Sequence, residues 1–308
     1  MPLHPQAQKV LEALVKGVPP LSTLTAVELR ETMKRLRGQP KPIAPVYRVE
    51  ERRIPADGEE IVVRIYTPDA APPLPALMYF HGGGWCTGDL DSVDNVCRLI
   101  CNGVPSIVVS VDYRLAPEHR FPTAVDDAYA ALRWMDAASE ALGADPTRIS
   151  VGGDSAGATL AAVAAVRARD RGGPRVASQV LVYPVVNFDY ETESFRRNGK
   201  DYFLTVERME FFRKHYLRSE ADAEHPEAAP LYTKDFRNLP PALLVAAEYD
   251  PLTDGVRMYA EKLRQAGNRV ETVEYSGMIH GFFTMPHAMD AAAEAIGAVC
   301  RFLRRRRT

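Results

Sequence analysis

The pentapeptide Gly153-Asp154-Ser155-Ala156-Gly157 stands between an apolar run, Arg148 to Gly152, and an Ala-rich run that begins at Ala158. If the first run is a strand and the second a helix, Ser155 occupies the sharp turn between them, and its hydroxyl projects clear of the backbone as a nucleophile's must. Such a turn holds the serine in an unfavourable backbone conformation and brings strand and helix so close that the flanking side chains must be small. Gly153 and Gly157 give that clearance. The helix also aims free N–H groups and the positive end of its dipole at the point where an anion would form, with the Ala156 N–H as the natural donor. A plain glycine-rich turn yields the same five residues by chance, so the chemistry needs partners.

A serine hydroxyl needs a base, and the base needs an acid to orient it and stabilise its charged form. Of the seven histidines, His280 follows the apolar run Val270 to Tyr275 by a short loop and precedes Gly281-Phe282-Phe283. That places it at a strand's carboxyl end. Asp250 follows the run Ala242 to Ala247 through Glu248 and Tyr249, with Pro251-Leu252 stiffening the turn behind it. Glu248 competes for the acid role, because either carboxylate serves in the order nucleophile, acid, base. Asp254 reads as the cap of the next helix. A further element is His81-Gly82-Gly83-Gly84-Trp85, directly after the run Ala76 to Phe80. Successive glycines let the backbone approach a substrate and turn several N–H groups toward one point, as a developing oxyanion requires. His81 itself reads as a residue that hydrogen-bonds this loop in place.

These residues need a frame that carries them all at strand ends. The first forty residues read as two amphipathic helices, Pro5 to Val15 and Thr25 to Leu36, the second with Thr25 and Glu28 in a capping-box pattern. A Pro-rich connector, Gln39 to Pro45, follows. Tyr47 to Ile54 and Ile61 to Tyr66 flank Asp57-Gly58 as an antiparallel hairpin. After it, strands (76–80, 107–111, 148–152, 179–183, 242–247, 270–275) alternate with helices (92–102, 123–134, from 155, 255–265, 291–303). This rhythm predicts a mainly parallel sheet covered on both faces, with its site at the carboxyl ends of the strands. Residues 188 to about 230 interrupt it with aromatics, charges and a single helical pattern, Val206 to Tyr216. They read as an insertion.

Composition narrows the function classes. The 308 residues are 46% hydrophobic and 25% charged, with 38 basic against 40 acidic residues and a net charge of -2. Nothing in that balance draws the chain to nucleic acid or an anionic membrane; small, roughly neutral substrates fit better. Cys86, Cys97, Cys101 and Cys300 have no zinc-like spacing and read as reduced and buried, so no metal or other cofactor is expected. No run of about 18 apolar residues occurs, and the start lacks a basic segment before an apolar one, which points to a cytoplasmic soluble protein. Arg304 to Arg307 read as a solvated helix end that complements the dipole.

Together, His81 to Trp85, Asp112-Tyr113-Arg114-Leu115-Ala116-Pro117-Glu118, Gly153 to Gly157, Asp250-Pro251-Leu252 and His280-Gly281-Phe282 resemble the bacterial hormone-sensitive-lipase-like esterases of the α/β-hydrolase fold. The resemblance implies one α/β domain over 1–308 with an eight-stranded sheet, and a cap built from about 1–45 and about 188–230. It implies Ser155, Asp250 and His280 as a catalytic triad and the N–H groups of Gly83, Gly84 and Ala156 as the oxyanion hole. Arg114 and Glu118 are expected to form an ion-paired scaffold behind the glycine loop. The activity implied is carboxylesterase chemistry through an acyl-enzyme. Trp85, Tyr202 and Phe203 are the expected substrate-binding aromatics, and a cap over the site favours short to medium acyl chains. A small-molecule ester is the expected partner, and a homodimer is allowed. The same machinery would also serve an amidase, a formamidase or a specific deacetylase; a lidded receptor would be expected to lack His280.

Overall fold

The computed structural model describes residues 2–37 and 44–305. Most of the Pro-rich connector and the arginines at 306 and 307 lie outside the described residues. In chain order the elements are α1 (Pro5–Gly17), α2 (Ala26–Arg37), β1 (Arg48–Ala56), β2 (Glu59–Thr67), β3 (Leu74–Phe80), α3 (Asp94–Gly103), β4 (Ile107–Asp112), α4 (Thr123–Ala137) and α5 (Ser139–Leu142). They continue with β5 (Ala144–Asp154), α6 (Ala156–Asp170), β6 (Gln179–Val182), α7 (Glu193–Asn198), α8 (Val206–Tyr216), β7 (Ala242–Tyr249), α9 (Thr253–Gln265), β8 (Val270–Ile279) and α10 (Asp290–Arg304). Strand–helix alternation thus produces the expected α/β frame. Thr25 and Glu28 close the capping box: the Thr25 N–H donates to the Glu28 carboxylate at 2.8 Å and the Glu28 N–H to the Thr25 hydroxyl at 3.2 Å.

The eight strands form one sheet in the order β1-β2-β4-β3-β5-β6-β7-β8. β1 and β2 form the hairpin around Asp57-Gly58, and β2 also runs antiparallel to β4; every other pair is parallel. Successive side chains of a strand point to opposite faces, and the core divides accordingly. Ala76, Met78 and Phe80 of β3 pack on one side with α4, α6 and α9, while Leu77 and Tyr79 pack on the other with α3 and α10. Helices on both faces bury the central strands β3, β4, β6 and most of β7, which is why those strands read as continuous apolar runs, whereas the edge strand β8 alternates and is buried only at its end.

Register then aligns the chemistry-bearing ends. Phe80 pairs with Gly153, so His81 and Asp154 come abreast, and Tyr249 pairs with Ile279, so Asp250 and His280 come abreast. β5 reaches back to Ala144, which pairs with Leu74; residues 145–148 between it and the apolar run are not buried, so no apolar pattern marks them. α7 is a helix of six residues within the stretch read as an insertion, too short to show a periodicity.

The scaffold behind the glycine loop is built differently from the expectation. Arg114 does not pair with Glu118. Its guanidinium meets Asp127 of α4 at 2.7 Å and Glu59 at 3.3 Å, while Glu118 pairs with Arg30 of α2 at 2.8 Å. Asp127 is fully buried, so only a bidentate cation and the Arg114 N–H, which donates to it at 2.9 Å, keep its charge satisfied. Removing one partner of a buried pair leaves an uncompensated charge, whereas the Arg30–Glu118 pair is partly solvated. Asp127→Ala should therefore lower stability by about 3–5 kcal/mol and Glu118→Ala by at most about 1 kcal/mol. Urea unfolding of both variants checks the order; equal losses would contradict the pairing described.

Candidate active site

The turn from β5 into α6 holds Ser155 at φ 53° and ψ −122°, a conformation that side chains rarely adopt. Contacts on both sides explain how it is held. A Cβ on Gly157 would lie 2.0 Å from the Phe80 carbonyl oxygen, and one on Gly153 would lie 2.5 Å from the Gly157 carbonyl carbon. The Ser155 N–H donates to the Val182 carbonyl at 2.9 Å, tying the turn to β6. The hydroxyl points at His280.

The Ser155 Oγ lies 2.9 Å from His280 Nε2, and His280 Nδ1 lies 2.7 Å from an Asp250 carboxylate oxygen. Asp250 is fully buried, and its other oxygen accepts the Leu252 N–H at 2.9 Å. The carboxylate therefore requires the proton on Nδ1, leaving Nε2 as the acceptor that faces the serine. Glu248 is engaged elsewhere, accepting the Gly277 N–H at 2.7 Å. Asp254 does not cap α9; its carboxylate accepts the Ser194 N–H of α7 at 2.7 Å, while the Ser194 hydroxyl donates to the Pro251 carbonyl at 2.6 Å. Asn198, also of α7, donates to the carbonyls of Glu248 and Asp250 at 3.0 and 3.3 Å. The short helix thus anchors the turn that carries the acid.

Above the serine lies the glycine loop. Gly83 and Gly84 take φ values of +123° and +59°. A Cβ on Gly83 would fall 2.1 Å from the Thr87 carbonyl oxygen, and one on Gly84 would fall 2.2 Å from the Phe212 ring. The Gly83 carbonyl turns away to accept the N–H groups of Cys86 and Thr87. Among the described residues, the N–H groups of Gly83, Gly84 and Ala156 have no protein acceptor, and such unpaired donors suit a developing anion. His81 donates through Nδ1 to the Gly82 carbonyl at 2.8 Å and stacks on Tyr113 with ring centroids 4.3 Å apart. Burial pushes its pKa down to about 4, so it stays neutral at ordinary pH. Tyr113 in turn donates to the His81 carbonyl, and the Ala116 N–H to the Trp85 carbonyl, both at 2.8 Å. These bonds join the Asp112 to Glu118 segment to the loop.

Ser155, His280 and the glycine loop open into a cavity of about 550 Å³. Leu29 and Met33 of α2 and Phe203, Met209 and Phe212 of the 188–230 stretch form its walls. Trp85 lines it too, although its ring is buried and stacked on Tyr216 at 4.1 Å. Tyr202 does not line the cavity: it packs on Tyr249, 5.0 Å between centroids. Phe212, Arg208 and His287 line the cavity without having been singled out in the sequence; the helical spacing of Arg208 and Phe212 was the available signal. Among the described residues no group of three His, Cys, Asp or Glu side chains could hold a metal ion.

A family model described as the α/β-hydrolase fold matches residues 77–284, and the carboxylesterase NlhH of Mycobacterium tuberculosis is 40% identical over 98% of this chain and 97% of its own. This chain belongs to the α/β-hydrolase esterase family. The arylesterase of Saccharolobus solfataricus is 34% identical over 98% of this hydrolase and 99% of its own length. Among solved structures, the hyperthermophilic esterase of Pyrobaculum calidifontis superposes with a TM-score of 0.93 at 39% identity, over 99% of this chain and 98% of that one.

One further carboxylate of the hydrolase lies beside the serine. Asp154 is buried, and burial pushes its pKa up to about 6 even though the Tyr79 hydroxyl donates to it at 3.0 Å. The folded protein therefore binds a proton here more tightly than the unfolded chain does, and this group adds stability as the pH falls from about 6 toward its ordinary value of 3.8. Asp154→Asn removes that gain. Its unfolding free energy should fall more steeply than the wild type's between pH 7 and 4, by roughly 2 kcal/mol. Urea titrations across that range check this, and parallel curves would exclude a proton taken up at Asp154.

Proposed function

We propose that this protein is a serine carboxylesterase acting through an acyl-enzyme, with Ser155, His280 and Asp250 as its triad. The observation that carries the reading is the pair of contacts, 2.9 and 2.7 Å, that links hydroxyl, imidazole and buried carboxylate. His280 Nε2 takes the Ser155 proton as Oγ attacks the ester carbonyl, while Asp250 holds the imidazole in the right tautomer and stabilises the imidazolium. The N–H groups of Gly83, Gly84 and Ala156 receive the oxyanion; each such donor contributes about 10²–10³-fold in comparable sites. His280 then protonates the departing alcohol. Water, activated by the same base, releases the acid and regenerates Ser155.

In this reading residues 1–308 work as one α/β-hydrolase domain, with about 1–45 and about 188–230 as a cap. Support comes from the cavity walls, which take Leu14, Leu29 and Met33 from the first stretch and Phe203, Met209 and Phe212 from the second. A cavity of about 550 Å³ suits a small ester substrate with a short to medium acyl chain. The four cysteines are buried and unpaired, which fits work in the reducing cytoplasm. Among the described residues no helix is long and apolar enough to cross a membrane.

Ser155→Ala should lower turnover of p-nitrophenyl butyrate by at least about 10⁴-fold with the circular dichroism spectrum intact; near-wild-type turnover would refute the assignment. Asp250→Asn should cost about 10⁴-fold in kcat, and Glu248→Gln only a few-fold, because Glu248 faces the Gly277 N–H rather than His280. Across p-nitrophenyl esters of two to sixteen carbons, kcat/KM should peak at short or medium length. A peak at the longest chains would remove the capped-cavity argument.

A further inference from the structure

Arg208 lies in the first turn of α8, where the Thr205 hydroxyl accepts its N–H at 3.2 Å. A cation in that position opposes the positive end of the helix dipole, which favours acidic residues. Its side chain lines the cavity, with the guanidinium over the Phe203 ring at 4.7 Å from the centroid. Stacking satisfies one face of the guanidinium; its N–H donors lie in the plane and need acceptors.

No such acceptor is supplied. Among the described residues Arg208 makes no ion pair, and the carboxylate whose charge acts on it is that of its exposed neighbour Glu207. Burial accordingly lowers its pKa. The other arginines of the cavity wall differ: Arg30 is held by Glu118 and by the Cys86 and Ala116 carbonyls, and Arg37 by Asp89. Arg208 is half-buried, and a charge partly withdrawn from water with no protein partner favours a ligand that completes it.

Its position relative to the reacting centre follows from its neighbours. The Phe212 ring lies against Gly84 of the glycine loop, and Arg208 stands one turn earlier on the same helix face, about 6 Å away along the helix. The Phe203 ring beneath the guanidinium rests against Gly281, where a Cβ would lie 3.1 Å from it, and Gly281 follows His280. A group bound to Arg208 would therefore sit several bonds from the scissile carbonyl.

We propose that Arg208 receives a carboxylate of the substrate, so that the esters best matched to this cavity carry an anionic group on the arm lying under α8. The planar fork of a guanidinium matches a carboxylate bidentately, and desolvation strengthens the pair. The inference rests on the esterase reading and narrows it to a substrate class.

The test compares isosteric pairs on either side of the ester, carboxylate against primary amide: monomethyl glutarate with methyl 4-carbamoylbutanoate, and 4-acetoxybutanoate with 4-acetoxybutanamide, each followed by acid release in a pH-stat. In the wild type, kcat/KM for the anionic member of one pair should equal or exceed that of the neutral member. Arg208→Gln should lower that anionic-to-neutral ratio at least tenfold, Arg208→Lys should recover part of it, and Arg208→Glu should lower it further. The ratio cancels any general loss of activity. Turnover of the neutral esters with a ratio that Arg208→Gln leaves within twofold overturns the assignment of Arg208 alone. Failure of the wild type to hydrolyse any of the four esters overturns the esterase reading and this inference with it. Should the Gln variant not fold, inhibition of neutral-ester turnover in the wild type decides: glutarate should inhibit at least tenfold more strongly than glutaric diamide, and equal inhibition overturns the proposal.

Discussion

The site depends on one close crossing, where α6 leaves β5 against the end of β3. Ser155 has no intrinsic preference for φ 53°. It is held there because the backbone of Gly157 lies so near the Phe80 and His81 carbonyls that no side chain fits between them, and because the Ser155 N–H is fixed to Val182 of the neighbouring strand. Strain of order 1–3 kcal/mol at such a residue persists only where surrounding structure over-determines it. The same crossing sets the serine beside the glycine loop. The proposed nucleophile and oxyanion donors are thus brought together first by a backbone constraint.

A second set of contacts keeps the other participants from drifting. The acid turn is fastened by Leu252, Asn198 and Ser194, and the base follows β8 directly after the residue that pairs with Tyr249. The glycine loop is fastened by Tyr113 and Ala116, and Arg30 of α2 reaches the same segment through the Ala116 carbonyl. The helix before the first strand therefore participates in positioning the oxyanion loop and does more than cover it. Most of these are side-chain to backbone bonds, which restrain a loop without requiring it to be part of the sheet.

Much of this was legible in the chain itself. The central parallel strands are continuously apolar, so their places along the chain and the residues at their ends could be read directly, though not their order in the sheet, and Ser155, Asp250 and His280 come within hydrogen-bond distance because register, a regular property, aligns those ends. What could not be read was any pairing chosen among similar partners. Arg114 had Glu118 four residues away, but the pairing is with Asp127, which α4 brings into the buried interior where a bidentate partner is obligatory. Asp254 looks like a helix cap by position, yet the backbone of α7 competes for it. Tyr202 and Phe203 are equivalent as aromatics, yet one packs on Tyr249 and the other lines the cavity. Such outcomes depend on packing between distant segments and leave no periodic trace.

The division of labour within the fold follows from the same distinction. Residues at the ends of the central strands sit on a part of the sheet buried on both faces, where movement is expensive. The cavity walls come from α2 and from the 188–230 stretch, which join the sheet through side chains and short helices. Their residues can change without disturbing the register that aligns Asp250 with His280. A cation such as Arg208, unfavourable to its own helix and without a carboxylate partner, is tolerable there and would not be tolerable on a central strand. In the proposed reading, selectivity among esters therefore belongs to α8 and its neighbours, while the reaction itself belongs to the crossing at Ser155.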